Sequence, residues 1–272
     1  MFEATYVINL DRSPDRWAHA QKVCARAGLP NVIRFRGVDG RQLDAAAIAD
    51  LQERGLLATG EGQFDSATRP GEMGCALSHA LLLDEIIGRG WKSALILEDD
   101  VDLAGDPATW QDRLKAASRD LPWSWEVWFL YRCLDIEHRV KRISRRTVIP
   151  WTPQGCAGYA VSAAGARIIR EATRPVGNAV DRVLMNVVKT RRIKAYAASP
   201  MLIDPGMQPS LINTQPGQRT WVDNGVNRPP EYWPVEYLDH LGERLPDPPL
   251  HQRLWAAGRR AMHQVLRSKN PA

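Results

Sequence analysis

The stretch at residues 93–103, SALILEDDVDL, decides how the chain is read. An apolar run with the look of a buried strand ends in Glu98, Asp99, Asp100 and, after Val101, Asp102. Carboxylates set this densely repel one another. Either a positive charge sits among them or they are well solvated. In open parallel α/β sheets, ligands bind beyond the carboxyl ends of the strands, and this acidic run falls at such an end. An extended backbone would turn Glu98 and Asp100 to one side and Asp99 to the other. Two carboxylates on one side make a hard-oxygen site for magnesium or manganese, completed by substrate phosphates and water. A metal bridging diphosphate oxygens also stabilises a diphosphate leaving group. Asp100 and Asp102 are a second way to form the pair. The bland reading is an acidic turn after a strand, and the apolar run that buries the root of the cluster weighs against it.

Outward from this stretch, strands alternate with helices. Residues 5–10, TYVINL, read as a buried first strand, and Ser13-Pro14-Asp15 supplies an N-cap, a proline at the first helical position and an acid in the first turn. A second strand at 32–40, VIRFRGVDG, runs into a Gly-flanked loop, followed by an alanine-rich helix at 43–57. A helix at 72–87 is apolar nearly all round and should be well buried. Further helices are expected near 108–119, after Ser162 and at 180–190, with strands at 126–131, 139–149, 157–161 and 194–198. This order predicts an α/β fold with a mostly parallel central sheet flanked by helices. After Pro200 the chain turns rich in Pro, Gly, Trp and Asn, an irregular C-terminal extension that ends in a helix.

At 272 residues and 44% hydrophobic content the chain can bury a sizeable core. No apolar run is long enough to cross a bilayer, and the first residues carry no basic n-region of a signal peptide. Cys24, Cys75, Cys133 and Cys156 are spread without a CxxC pair, which suits a reducing cytosol. The net charge of +5 lies in the tail: five basic residues and no acid follow Pro248, leaving 31 basic and 31 acidic residues before it. A neutral body argues against a nucleic-acid partner. On a helix at 250–268, Leu250, Leu254, Trp255, Met262, Val265 and Leu266 share one face, with Arg253, Arg260 and Arg267 opposite. Such a helix fits an anionic inner-membrane leaflet, each basic residue contributing about 1 kcal/mol, or docks on the body with its basic face solvated.

Seven blocks, in order, carry a resemblance to a known family. VINLDRSPDR (7–16), GVDG (37–40), GEMGCALSHALL (71–82), ALILEDDV (94–101), GYAVSAAGA (158–166), AVDRVL (179–184) and SPMLID with PSLI (199–212) look like glycosyltransferase family 25, which includes bacterial lipopolysaccharide and lipooligosaccharide galactosyltransferases and collagen galactosyltransferases. The resemblance implies a GT-A-type nucleotide-binding fold over 1–212, a UDP-linked donor and an inverting transfer to a saccharide acceptor. The Pro/Trp-rich extension at 213–249 and the helix at 250–268 would be additions to it.

On these positions the family's metal motif falls on Glu98, Asp99 and Asp100, with Asp102 beside it. Asn9, Leu10, Arg12 and Arg16 are implied at the uracil and diphosphate, and Asp39 and Gly40 at the nucleoside, although Asp-Gly is also an ordinary turn pair. Glu72 and His79 lie seven positions apart on one helix face and would line the pocket. Ser78 and His79 read equally as polar groups satisfied inside a buried helix, and Cys75 reads as packing. An inverting transferase needs a group to deprotonate its acceptor hydroxyl. Asp181 is the candidate and Glu72 the second choice; with Asn178 as N-cap, Asp181 also falls in a first helical turn that favours an acid.

Two departures stand out: Arg132 and Cys133 occupy a segment where the family has a glycine, and the Trp-rich 221–255 region has no counterpart. Two rival functions remain at this point. A sugar nucleotidyltransferase also uses carboxylates and magnesium, but NLDRSPDR lacks the glycines of a triphosphate loop. A non-catalytic glycan- or membrane-binding protein on a degenerate transferase fold is the other. The resulting expectation is a cytoplasmic enzyme, peripheral on the inner face of the membrane.

Overall fold

Three strands that share a direction fix where the acids emerge. In the computed structural model, β1 (Ala4–Asn9), β2 (Val32–Arg36) and β3 (Ser93–Glu98) pair in parallel, with β1 in the centre. The structure describes residues 2–59, 70–133, 135 and 139–206. The chain divides into two compact units, Met1–His240 and Leu241–Ala272. The second lies wholly outside the described residues, as do the boundary at 212, the extension at 213–249 and the helix at 250–268.

The side chains of these strands alternate as period two requires. Val7, Leu95 and Leu97 enter one core cluster, with Ala20, Val23 and Cys24 of α1 (Pro14–Arg26) and Trp110 and Leu114 of α4 (Pro107–Arg119). Tyr6, Ala94 and Ile96 enter the opposite cluster, against Leu82, Leu83 and Ile86 of α3 (Pro70–Gly88), Ala166 and Ile169 of α5 (Ala163–Thr173) and Leu184 and Val187 of α6 (Val180–Lys189). Both faces of the sheet are therefore covered, as a parallel sheet needs. A third cluster joins α3 to Leu57 and to the half-buried side of α2 (Ala45–Glu53). Pro14 opens α1 as expected, but the Ser13 hydroxyl makes no capping bond. Ser162 does cap α5, accepting from the Gly165 N–H.

The remaining strands of the main sheet are β5 (Val127–Phe129), β6 (Lys141–Arg142), β7 (Thr147–Ile149), β8 (Gly158–Ser162) and β9 (Ala195–Ala198), in the order β2-β1-β3-β8-β5-β9-β7-β6. Among the described residues six of these eight strands share one direction; β7 and β8 run against it. The Arg-rich segment at 139–149, expected as a single strand, folds into the β6–β7 hairpin. Among the described residues no crossover helix stands between β5 and β8, and a parallel neighbour needs such a connection. β8 accordingly enters between β3 and β5 antiparallel to both. A second small sheet pairs β4 (Asp102–Leu103) with β10 (Ile203–Asp204).

The loop after β2 meets the start of α3 backbone to backbone. A Cβ on Gly40 would overlap the Pro70 carbonyl oxygen, and one on Gly74 would overlap the Val38 carbonyl oxygen. In an open helix Gly74→Ala would stabilise by about 1 kcal/mol. Here overpacking should reverse the sign and cost about 1–3 kcal/mol, measured as a lower midpoint of urea unfolding.

Candidate functional site

β3 ends at Glu98, and the next two acids turn at the carboxyl edge of the sheet. Asp99 points toward α1. It is buried, accepts from Asn9 Nδ2 at 2.6 Å and from an Arg16 guanidinium nitrogen at 2.9 Å. Burial raises its pKa, and those two donors oppose the rise. The Asn9 amide is itself fully engaged, donating to the Ser13 carbonyl at 2.9 Å and accepting from Arg34 Nε at 2.8 Å. Arg16 also lies 3.4 Å from Asp100. The positive charge demanded by the acidic run is therefore the Arg16 guanidinium, itself buried. Asp102 turns out of the group: its carboxylate is 43% exposed and 3.8 Å from His19 Nε2.

Glu98 faces the other way, toward α3. Its carboxylate lies 3.8 Å from His79 Nε2, and His79 Nδ1 is 2.9 Å from the Tyr159 hydroxyl. The His79 and Tyr159 rings stack with centroids 5.7 Å apart. Cys75 stands one helical turn before His79, and a thiol, an imidazole and a carboxylate atom from Cys75, His79 and Glu98 lie within 4.8 Å of one another. Burial pushes the Cys75 thiol well above its ordinary pKa, and the charges of Glu98, Asp181, Asp100 and Glu72 push it the same way. Charges from β3, its following turn, α3 and α6 thus all act on that thiol. Burial and the neighbouring Glu98 carry the pKa of Asp100 up to about 7, against the pull of Arg16.

Asp181 occupies the first turn of α6 and accepts from the Arg182 N–H at 2.7 Å. The N-cap of that helix is Ala179 rather than the expected Asn178, and no side chain caps it. Asp181 is half-buried, and its charge acts on the Cys75 thiol.

The other expected residues frame this centre. Arg12 pairs with Asp39 at 2.5 Å, and Asp39 caps the 3-10 turn at Gly40–Gln42 by accepting from the Arg41 N–H. Gly40 is buried against α3. Leu10 is half-buried, with its carbonyl accepting from Arg34. The Ser78 hydroxyl donates to the Gly74 carbonyl at 2.6 Å and accepts from the Val38 N–H at 2.7 Å, so it ties the 37–40 loop to α3.

Two features escaped the sequence. Cys75, read as packing, belongs to the acid-lined centre; its signal was the four-residue spacing to His79, which puts both on one helix face. Arg132 makes a buried ion pair with Asp135 at 3.1 Å, and Asp135 also accepts from the Trp151 and Thr152 N–H groups. That clamp holds the loop before β8, and only the folded chain brings its parts together. The donor set of the centre suits a divalent cation: Glu98 and Asp100 supply oxygens at the strand end, and the fully buried His79 Nε2 has no hydrogen-bond partner.

Among the described residues no helix is long and apolar enough to cross a membrane. A family model described as glycosyltransferase family 25 (LPS biosynthesis protein) matches residues 2–184. Procollagen galactosyltransferase 1 of Danio rerio is 25% identical over 224 residues, covering 75% of this chain and 36% of that protein. Inactive glycosyltransferase 25 family member 3 of Homo sapiens is 28% identical over 131 residues, covering 48% of this chain and 22% of that protein. This chain spans about a third or less of the length of these curated relatives. A solved mannose-1-phosphate geranyltransferase from Thermus thermophilus superposes with a TM-score of 0.35 at 10% identity, covering 74% of this chain and 75% of that one, a likeness too slight to argue from. The family match takes in the whole centre, from Asn9 through the acidic run to Asp181, and the chain belongs to glycosyltransferase family 25.

Proposed function

We propose that this chain is a metal-dependent inverting glycosyltransferase that moves a hexose, galactose or glucose, from a UDP-sugar to a saccharide acceptor. The observation that carries the proposal is the acidic run at the carboxyl end of β3, where Glu98 lies 3.8 Å from His79 and helps to raise the pKa of the buried Asp100. That edge is where nucleotide ligands bind in sheets of this kind, and six strands in one direction fit a GT-A-type fold. The name of the Danio rerio relative supports galactose, and the family's description supports lipopolysaccharide or another surface glycan as the acceptor. The basic 250–268 segment supports peripheral attachment to an anionic inner leaflet, with the enzyme on the cytoplasmic side.

In this reading Glu98 and Asp100 hold a manganese or magnesium ion, and Asp102, turned toward His19, is left outside its shell. When bound, the ion supplies charge neutralisation at the diphosphate. Arg16 holds Asp99 and Asp100 in place and adds positive charge beside the diphosphate. Arg12 and Asp39 form the rim of the nucleoside pocket, with the Leu10 and Gly40 backbone as its floor. Asp181 accepts the proton of the acceptor hydroxyl, with Glu72 as the second candidate base.

One observation favours a second reading, a non-catalytic binding protein: a human relative is called inactive. Measuring UDP release from a panel of UDP-sugars, with manganese and with chelator, separates the two. One sugar should be turned over only with metal, and Asp100→Ala should lower its rate about 100-fold or more, beyond the effect of losing an outer-shell partner. No turnover of any sugar, with no UDP binding even in metal, would move the binding protein ahead.

Asp100 also makes a prediction about stability. Its folded pKa of about 7 lies above the unfolded value of about 4. The folded state therefore holds a proton that the unfolded state has released, and stability falls as pH rises through that interval. Thermal melting of the chelated protein from pH 4 to 7 should show this fall, and Asp100→Asn should flatten it. Equal slopes in the two proteins would remove Asp100 as its source.

A further inference from the structure

The face of α3 that looks at Glu98 carries a mixed set of ligands that the transferase reading does not use. Cys75 and His79 sit one turn apart on that face, and Glu98 meets them from the end of β3. Their ligand atoms lie within 4.8 Å of one another. Zinc bonds to sulfur and nitrogen are about 2.0–2.3 Å long, so small side-chain rotations close such a set around one ion.

His79 is the decisive member. Its ring is fully buried, and Nδ1 is held by the Tyr159 hydroxyl at 2.9 Å. In either tautomer Nε2 is left without a hydrogen-bond partner, 3.8 Å from the Glu98 carboxylate. A buried nitrogen left in this way is costly. A histidine fixed through one ring nitrogen with the other free is also the arrangement that orients a metal ligand. The third member, the Cys75 thiol, lies with His79 and Glu98 inside the same 4.8 Å set.

We infer that Cys75, His79 and Glu98 bind a borderline-soft divalent ion, Zn2+ or Co2+, through thiolate, imidazole and carboxylate ligands. Magnesium takes oxygen ligands in near-octahedral geometry; sulfur and imidazole select zinc-like ions instead. On binding, the Cys75 thiol releases its proton to solvent and its sulfur forms the bond to the ion. The site stands without the transferase reading. Glu98 is common to both, so the test is made without nucleotide.

The whole 272-residue chain, freed of metal, is titrated with Co2+ and followed by absorbance. The expected result is one equivalent bound, with a thiolate-to-cobalt charge-transfer band and the strong visible bands of a low-coordinate site, all removed by added Zn2+. Cys75→Ser should abolish the charge-transfer band and weaken binding at least about tenfold, more than losing an outer-shell partner does. Cys133→Ser and Cys156→Ser should each keep the band. Glu98→Gln should weaken binding and keep the band, which gives a second test should Cys75→Ser fold poorly. No cobalt uptake, a spectrum without charge transfer, or a band that survives Cys75→Ser would each overturn the site. If cobalt fails while a UDP-sugar is turned over with manganese, this inference falls and the transferase reading stands. If cobalt binds as described and no sugar is turned over, the reverse holds.

Discussion

The buried pairing of Arg16 with Asp99 is the constraint on which the functional edge depends. Asp99 is the point where α1, β1 and β3 meet, through Arg16 and the amide of Asn9. Breaking a buried pair by removing one partner leaves an uncompensated charge, at a typical cost of about 3–5 kcal/mol. With Asp99 facing α1, Glu98 before it in the strand faces α3. That division gives the acidic run two chemistries: one member is structural, and others are left to meet a ligand.

Helix α3 carries the second half of the arrangement. Its first turn is pressed against the 37–40 loop at Gly40 and Gly74, and Ser78 fastens the same loop by two hydrogen bonds. Next to Ser78 on the same turn, His79 looks into the acid cluster. The loop that carries Asp39 and the helix that carries Glu72, Cys75 and His79 are thus one mechanical piece. A change that lifts the loop from the helix moves ligands and loop together.

Much of this was legible in the chain. The apolar run ending in acids placed β3 and the site at a strand end, because hydrophobic periodicity and the edge rule are both local. Ser13-Pro14 and Ser162 marked the starts of α1 and α5, although of the two serines only Ser162 caps with its side chain. The reversed β7 and β8 were not legible, since a short Arg-rich segment reads as one strand until a hairpin pairs it with itself. Cys75 was read as packing because burial and ligation leave the same mark on a sequence: a small apolar-looking residue on an apolar helix. The Arg132–Asp135 clamp was hidden for a different reason, since its value comes from the N–H groups of Trp151 and Thr152 that fold over it.

The reversed direction of β8 divides labour within the sheet. Because β8 starts at the edge where its neighbours finish, with Gly158 opposite Leu97 and the Ala157 carbonyl accepting from the Glu98 N–H, the loop that feeds it opens beside the acids. That loop is anchored by Asp135 and by the Cys133–Gln154 bridge, both outside β1, β2 and β3. Those anchors lie apart from the pairings that set Asn9, Glu98 and Asp99. The edge is therefore held by two separate sets of contacts, one within the first three strands and one on the loop that enters β8.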